Sequence, residues 1–360
     1  MLAFSQNRLV EDEKYMGLTR RCIDHLNNYE MDEFDLCADS FKVKYLEHPS
    51  YPLMLSMKIY YQSAIDLDKV GEDTTYLNLL TQVITSSEKV LEEDKESIEA
   101  LFFALCGYGF KAQYYSDNGS FVKSIMEGRK AYKYYKKAKV HKDDFAEIMF
   151  LTGLYNYYIV QYPESHGIVK PLMGFFEKGD KEKGLEQLDY TTKNASFTKA
   201  SSYTYLIDIL LKYEQDSAKA LSFACKFMAT YKGSHLAKIS RLKACMMSGR
   251  QDLAKPIIKE FLLEENEYLK LHGQLFDLWI SMDATEPDDS HLVKLNLLIA
   301  KAEKNPRICL DFLALAYFKK AEQLQFYKDK NQEIKSAFKK SQGYSYWESV
   351  DQAYKAYQKQ

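Results

Sequence analysis

Apolar residues recur with helical spacing along almost the whole chain. One segment shows them at positions i, i+3, i+4, i+7 and i+8, as Tyr203, Leu206, Ile207, Leu210 and Leu211. This spacing places apolar side chains on one face of an α-helix. Short polar breaks separate such segments at 214–217, 231–234 and 248–252, and connections this short join antiparallel neighbouring helices. The pattern therefore predicts an all-α fold of antiparallel helix pairs.

The scarcity of turn-forming residues agrees with this prediction. The 360 residues include only 15 Gly and 7 Pro, about half the ~12% share that is usual in globular proteins. A sheet-rich chain needs Gly and Pro for turns at short intervals, so the composition favours roughly 15–18 helices. Asn118-Gly119 lies between two helical patterns and is expected to be a helix–helix connection. Gly343 is expected to end one helix, and Ser345–Glu348 to form a capping box for the last.

A pattern of a small residue followed by larger residues at +4 and +7 occurs three times. The three copies are Gly184, Leu188 and Thr191; Ala220, Ala224 and Phe227; and Ala254, Ile258 and Phe261. The small residue lets two helices of a pair approach closely, and the larger ones fill the groove to the next pair. The last two copies are 34 residues apart, which predicts one repeat array over 8–360 rather than two separate domains.

Motifs in the first helix pair and in a middle block carry a family resemblance. They are Cys22–Asp24, Asp32–Phe34, His48–Pro52, Gly153–Tyr158, Tyr162–His166, Lys170–Pro171 and Phe175–Asp180. With the repeats, they make the chain resemble tetratricopeptide-repeat (TPR) proteins, and in particular a group of exported bacterial members of uncharacterised function. The resemblance covers most of residues 20–262. It implies a right-handed superhelical solenoid of helix pairs and an export signal, and it implies no known activity.

The N-terminus and the cysteines bear on the cellular compartment. Residues 1–7 are expected to be either the end of a secretory signal or a frayed terminus, because the apolar run is short and no basic segment precedes it. We therefore expect a periplasmic or otherwise exported protein, with a cytoplasmic one as the alternative. The six cysteines lie in apolar helical stretches without metal-ligand spacing, so buried thiols are expected rather than a disulfide framework.

No catalytic signature is present in the sequence. It lacks a P-loop, a His-Glu-x-x-His motif and a Gly-x-Ser-x-Gly elbow, and its seven histidines are scattered. The formal net charge is −2, so no global field would attract nucleic acid. We expect no enzyme activity, no cofactor, no metal site, no nucleic-acid partner and no transmembrane segment, and the oligomeric state is left open.

The charge is unevenly distributed along the chain. Residues 30–41 are acidic without a base, and residues 121–142 are rich in Lys and Arg. On a helix, Arg129, Lys133, Lys136 and Lys137 share one face, while Ala131, Tyr135 and Ala138 fall on another. Two solvated helix faces are the simplest interpretation. The alternatives are a docking surface for an acidic protein, or for the chain's own acidic N-terminal helix pair.

The middle block contains the candidate binding site. A helix is expected to end near Val160, and Pro163, Pro171 and Gly174 predict a repeat-breaking insertion at about 160–179. Packed onto the concave face, this block would supply aromatic and polar contacts from Tyr155, Asn156, Tyr158, Tyr162, Glu164, His166, Lys170 and Phe175. The alternative is that its aromatic residues only seal a break in the helix stack.

These features together predict a non-catalytic scaffold. The chain has 29 Tyr, and Tyr combines apolar area with one hydrogen bond at low entropic cost. We expect a concave, tyrosine-rich groove that binds a protein or peptide partner. A small-ligand or enzymatic site built around residues 153–180 is the alternative function.

Overall fold

The computed structural model describes residues 11–68, 73–165 and 176–359. These ranges contain seventeen α-helices and no strand, which confirms the all-α prediction. The first eight helices are α1 (Glu13–Asn27), α2 (Met31–Tyr45), α3 (Ser50–Ser63), α4 (Thr74–Glu93), α5 (Ile98–Asp117), α6 (Phe121–Ala138), α7 (Ala146–Ser165) and α8 (Lys181–Asn194). The next nine are α9 (Lys199–Lys212), α10 (Ser217–Thr230), α11 (His235–Met247), α12 (Gln251–Leu263), α13 (Glu267–Ala284), α14 (Asp289–Ala302), α15 (Leu310–Leu324), α16 (Asn331–Tyr344) and α17 (Glu348–Tyr357).

The described helices form two compact units. Unit 1 comprises Met1–Gln62, Gly71–Tyr203 and Tyr231–Ser234. Unit 2 comprises Ser63–Val70, Thr204–Thr230 and His235–Gln360. Within the described ranges, no helix is both long enough and apolar enough to cross a membrane.

Most of the predicted helix boundaries are present. Asn118-Gly119 connects α5 to α6, and Gly119 takes a φ of 70°, a conformation that glycine adopts without strain. The predicted capping box is wrong. Trp347 precedes the first residue of α17, Gly343 lies inside α16, and the Ser345 hydroxyl donates to an Asp311 carboxylate oxygen at 2.7 Å. The Ser345 hydroxyl therefore makes a tertiary hydrogen bond instead of the capping bond that the local motif predicts.

Small residues allow close helix packing where the repeat pattern predicts it. A Cβ atom on Gly184 would lie 2.8 Å from the Tyr157 nitrogen and 2.9 Å from the Gly153 oxygen. Real Cβ atoms do not approach other atoms this closely, so α7 and α8 require glycine at this crossing. The equivalent Ala220 and Ala254 are fully buried.

A disulfide joins the first two helices of unit 1. The sulfur atoms of Cys22 in α1 and Cys37 in α2 are bonded, with a Cα–Cα distance of 5.4 Å. The expectation of buried thiols is wrong for this pair, because packing of α1 on α2 brings residues 15 positions apart into bonding geometry. The other four cysteines are free thiols, at Cys106, Cys225, Cys245 and Cys309.

The His48–Pro52 motif spans the end of the α2–α3 connection and the first residues of α3, and it is anchored in the core of unit 1. The His48 ring is buried, and its Nδ1 lies 2.7 Å from the Ser50 hydroxyl and 3.3 Å from the Tyr15 hydroxyl. Its Nε2 lies 3.2 Å from a Glu99 carboxylate oxygen. The motif thus fixes the start of α3 through a buried polar cluster.

The middle block begins as a helix. α7 continues through Pro163 to Ser165, beyond the predicted end near Val160. Proline near a helix C-terminus removes only one backbone hydrogen bond, which a long apolar helix tolerates. Pro171 and Gly174 lie outside the described residues.

Candidate functional site

Tyrosine rings from three helices form two stacks in unit 1. Tyr135 and Tyr155 stack with ring centroids 4.6 Å apart, and Tyr132 stacks on Tyr155 at 6.2 Å. Tyr108 and Tyr134 stack separately at 5.7 Å with an interplanar angle of 13°. Tyr135 is buried and the other four rings are half-buried. Tyr132 and Tyr134 lie on either side of the buried side of α6 that carries Tyr135. We call the two stacks together, Tyr108 with Tyr134 and Tyr132 with Tyr135 and Tyr155, the tyrosine face.

A carboxylate from α4 orients two of these rings. One Glu88 oxygen accepts hydrogen bonds from the Tyr108 hydroxyl at 2.9 Å and the Tyr134 hydroxyl at 2.7 Å. Partial burial, and then the Glu88 charge, raise the pKa of both tyrosines well above the usual value. Both hydroxyls are therefore protonated at neutral pH, and each oxygen keeps lone pairs that can accept a hydrogen bond from a partner.

Lysines border the tyrosine face. The Lys130 ammonium lies 5.3 Å from the Tyr108 ring centroid, and the Lys136 ammonium lies 5.4 Å from that of Tyr132. These are cation–π distances, and both lysines are exposed. Lys130 also pairs with Glu127 at 3.1 Å, so the face combines aromatic area with a rim of lysines that is partly neutralised.

Tyr155 is the sequence-predicted residue that belongs to this surface. Its hydroxyl donates to the Glu177 carbonyl at 3.0 Å. Phe176 packs edge-on against Tyr132 at 5.2 Å and is 39% exposed. The segment after the undescribed part of the middle block thus returns to the tyrosine face.

Asn156 and Tyr158 have other surroundings. The Asn156 amide donates to the Gln187 side-chain oxygen at 2.8 Å, and the Gln187 amide donates to the Thr152 hydroxyl at 3.2 Å. Asn156 therefore helps to join α7 to α8. Tyr158 is half-buried and meets Tyr157 edge-on at 5.4 Å.

The remaining predicted site residues lie toward or beyond the end of α7. Tyr162 is 48% exposed, and the exposed Glu164 carboxylate pairs with the Lys181 ammonium at 2.5 Å. His166, Lys170 and Phe175 lie outside the described residues. The structure therefore brings Tyr155 together with tyrosines of α6 and gives Asn156 and Glu164 partners on α8.

Unit 2 contains a cavity that the sequence did not indicate. It has a volume of about 260 Å³ and is lined by alternate helices, α9, α11, α13 and α15. Polar lining residues come from each of the four, among them Asp208, Lys243, His272 and Asp311. They are far apart in sequence and form no motif, which is why sequence reasoning missed them.

Three charged residues at this cavity, Asp208, Lys243 and Asp311, are paired with one another. The Lys243 ammonium lies 2.8 Å from carboxylate oxygens of both Asp208 and Asp311. The Lys212 ammonium lies 2.7 Å from Asp311 and 3.6 Å from Asp208. Burial alone would raise the pKa of Asp311, but Lys212 and Lys243 hold that pKa far below its usual range. We call these two lysines and two aspartates the charge cluster.

His272 stands beside the charge cluster as a neutral ring. Burial lowers the pKa of His272 to about 4. Its Nδ1 lies 2.9 Å from the Tyr268 carbonyl, so Nδ1–H is the donor and the uncharged Nε2 is an acceptor. In the described parts of the chain, no group of three or more His, Cys, Asp or Glu residues is arranged to hold a metal ion.

Comparison with protein-family models, with curated proteins and with solved structures finds no match to this chain. The resemblance to TPR proteins therefore stays a prediction from the sequence. The chain's own geometry offers two candidate sites, the tyrosine face of unit 1 and the cavity beside the charge cluster of unit 2.

Proposed function

We propose that the protein is a non-catalytic, TPR-like scaffold that binds a protein or peptide partner in a tyrosine-rich groove. In this proposal the antiparallel helix pairs stack into a right-handed solenoid, and the tyrosine face is the described part of the groove. The three-fold repeat pattern and the required glycine at the α7–α8 crossing support such stacking.

The tyrosine face is the observation that carries the proposal. Its rings are half-buried, so they offer both ring area and hydroxyl oxygens to a partner. Glu88 and the Glu177 carbonyl hold three of its hydroxyls in place. Because these rings are already ordered, binding would cost less conformational entropy than it would with mobile side chains.

The rim suggests the chemistry of the partner. Lys130 and Lys136 lie over tyrosine rings at the edge of the face. A segment with aromatic or aliphatic side chains flanked by carboxylates would complement both features. We therefore propose an acidic, partly apolar peptide segment as the ligand.

The disulfide supports an exported location. Structural disulfides persist in the periplasm and outside the cell and are rare in the cytosol. An exported protein would not be exposed to the reductants of the cytosol, so its Cys22–Cys37 bond would stay oxidised. We propose export on this ground, together with the sequence resemblance.

A pair of matched double variants tests the binding proposal. Tyr132→Ala with Tyr155→Ala should lower partner recovery from an extract of the native cells about 30-fold or more, the effect of losing a binding hot spot worth ~2 kcal/mol. Tyr132→Phe with Tyr155→Phe keeps both rings and should recover most of the partner. A double alanine variant that melts far below the wild type while recovery is unchanged would show that these rings serve the core only.

A small-ligand site is the second candidate, and the cavity of unit 2 favours it. Its neutral histidine and paired charges form a polar pocket with apolar walls. A binding screen of small polar molecules should find a ligand that binds the wild type and not Ser240→Leu, which narrows the cavity. Equal binding to both proteins would rule out this site.

A further inference from the structure

Two helices of unit 1 carry exposed stripes opposite their buried faces. On α2 and just after it, one stripe of exposed residues consists of Asp32, Asp35, Asp39, Val43 and Leu46, and Asp35 also pairs with Lys58 of its own chain at 2.6 Å. On α6 the corresponding stripe consists of Val122, Ile125, Arg129, Lys133 and Lys136. The aliphatic members are unusually open, from 55% exposure at Leu46 to 84% at Val43. Exposed apolar groups on a helix face, next to charge, are typical of interaction surfaces.

The two stripes have the same spacing and the opposite order. Each advances by three, four, four and three residues, which keeps a line of side chains on one helical face. The α2 stripe runs from acidic to apolar, whereas the α6 stripe runs from apolar to basic. The predicted solvated basic face of α6 is therefore only part of a longer mixed stripe.

One antiparallel register matches all five positions. In that register the facing pairs are Asp32 with Lys136, Asp35 with Lys133, Asp39 with Arg129, Val43 with Ile125 and Leu46 with Val122. Since both helices rise ~1.5 Å per residue, equal spacing keeps every pair opposed along the contact. Three pairs are of opposite charge and two are apolar.

Other pairings of these stripes are mismatched. A parallel α2–α6 contact would set Asp32 against Val122 and Val43 against Lys133. A contact between the α6 stripes of two copies would place basic residues against basic ones or against apolar ones. A contact between two α2 stripes would likewise place acidic residues against acidic or apolar ones. Complementarity thus selects an α2–α6 pair in antiparallel orientation.

We propose that a second copy of this chain is the occupant of each stripe, with α2 of one copy packed antiparallel on α6 of another. Within one chain both stripes are exposed, so the contact has to be made between copies. A single helix–helix contact buries less than a standard interface, so the association is reversible and concentration-dependent. The inference does not rest on ligand binding at the tyrosine face, although Lys136 borders that face as well.

Charge reversal on each stripe tests the proposal by complementation. The wild type should show a sedimentation coefficient that rises with concentration to about 100 μM, and less so at high salt because the ion pairs are screened. Asp32→Lys with Asp39→Lys, and separately Arg129→Glu with Lys136→Glu, should each associate at least about tenfold more weakly. An equimolar mixture of the two variants should associate again, because each supplies the charges that the other has lost.

Matched controls separate this contact from a general charge effect. Lys335→Glu with Lys339→Glu makes the same charge change as Arg129→Glu with Lys136→Glu, but on exposed positions of α16. This control should associate like the wild type. Val43→Ser should weaken association without changing its salt dependence. Circular dichroism and melting curves check that every variant is folded.

Three results would overturn the proposal. The first is a wild type that stays monomeric at every concentration, and binding of such a monomer to anionic lipid vesicles through α6 would assign the stripe to a membrane instead. The second is a mixture of the two charge-reversed variants that fails to associate. The third is an α16 control that dissociates as fully as the stripe variants.

Discussion

Each of the two units places hydrogen-bond donors around a carboxylate, but the donors differ. In unit 1, Glu88 accepts from two neutral tyrosine hydroxyls, and all three side chains are half-buried. In unit 2, Asp311 accepts from two lysine ammonium groups whose side chains are at most 15% exposed. The first arrangement leaves rings and oxygens open to a partner, whereas the second uses its charges within the fold. Their covalent support differs too, because the disulfide belongs to unit 1.

Removing one member of each carboxylate cluster should show the largest contrast. Lys243→Met removes one of the two ammonium groups from Asp208 and Asp311, while Lys212 stays paired with both. Breaking a buried ion pair costs about 3–5 kcal/mol of stability, and we expect the lower end of that range here. Glu88→Gln keeps one acceptor oxygen at a half-buried position and should lower the free energy of unfolding by about 1 kcal/mol. Urea unfolding measures both costs, and hydrogen exchange locates them in α11–α15 or in α4–α6. Equal costs would show that the two clusters do the same structural work.

Loss of the disulfide should weaken unit 1 selectively. Cys22→Ser with Cys37→Ser opens a 15-residue loop, which is worth about 3 kcal/mol in the chain-entropy account. Hydrogen exchange should speed up in α1 and α2 while α13 and α15 keep their protection. Cys225→Ser removes a half-buried free thiol and is the control with little expected effect. Unchanged exchange in α1 and α2 would contradict the assigned role of the bond.

Acid should weaken unit 2 through His272. Its pKa is lowered to about 4 in the folded protein, against about 6.5 when unfolded. The unfolded state therefore binds more protons between these values, and stability that is present above pH 6.5 is lost as the pH falls toward 4. The loss should reach about 2 kcal/mol by pH 5, measured as faster exchange in α13 relative to α6. His272→Gln should remove most of this difference, and a pH dependence that survives the substitution would place its origin elsewhere.

Predictions from the sequence are confirmed where the interactions are local and are wrong where residues far apart in the chain meet. Helix periodicity and the Asn118-Gly119 turn are local, and the structure confirms them. The capping box at Ser345 was wrong because Asp311, distant in sequence, takes its hydroxyl. The Cys22–Cys37 bond depends on how α1 packs against α2, which spacing alone does not specify.

The candidate site shows the same limit. Tyr155 was predicted because it lies in a recognisable block, and it joins the tyrosine face. Glu88, Tyr108 and Tyr134 were not predicted, since they come from three helices and meet only after packing. Tyr132 lies within a basic segment whose charges predict a solvated surface, and that pattern gave no sign that its ring stacks on Tyr155.

Photo-crosslinking at the tyrosine face tests the central claim most directly. A benzoylphenylalanine replacing Tyr132 would lie beside Tyr155 and Phe176 at the tyrosine face. One replacing Tyr190, which is 47% exposed on α8, is the matched control. Irradiation of native cells should give a discrete covalent adduct with one partner at position 132 and not at position 190. Equal adducts at both positions, or none at position 132, would contradict the claim that this face binds a partner.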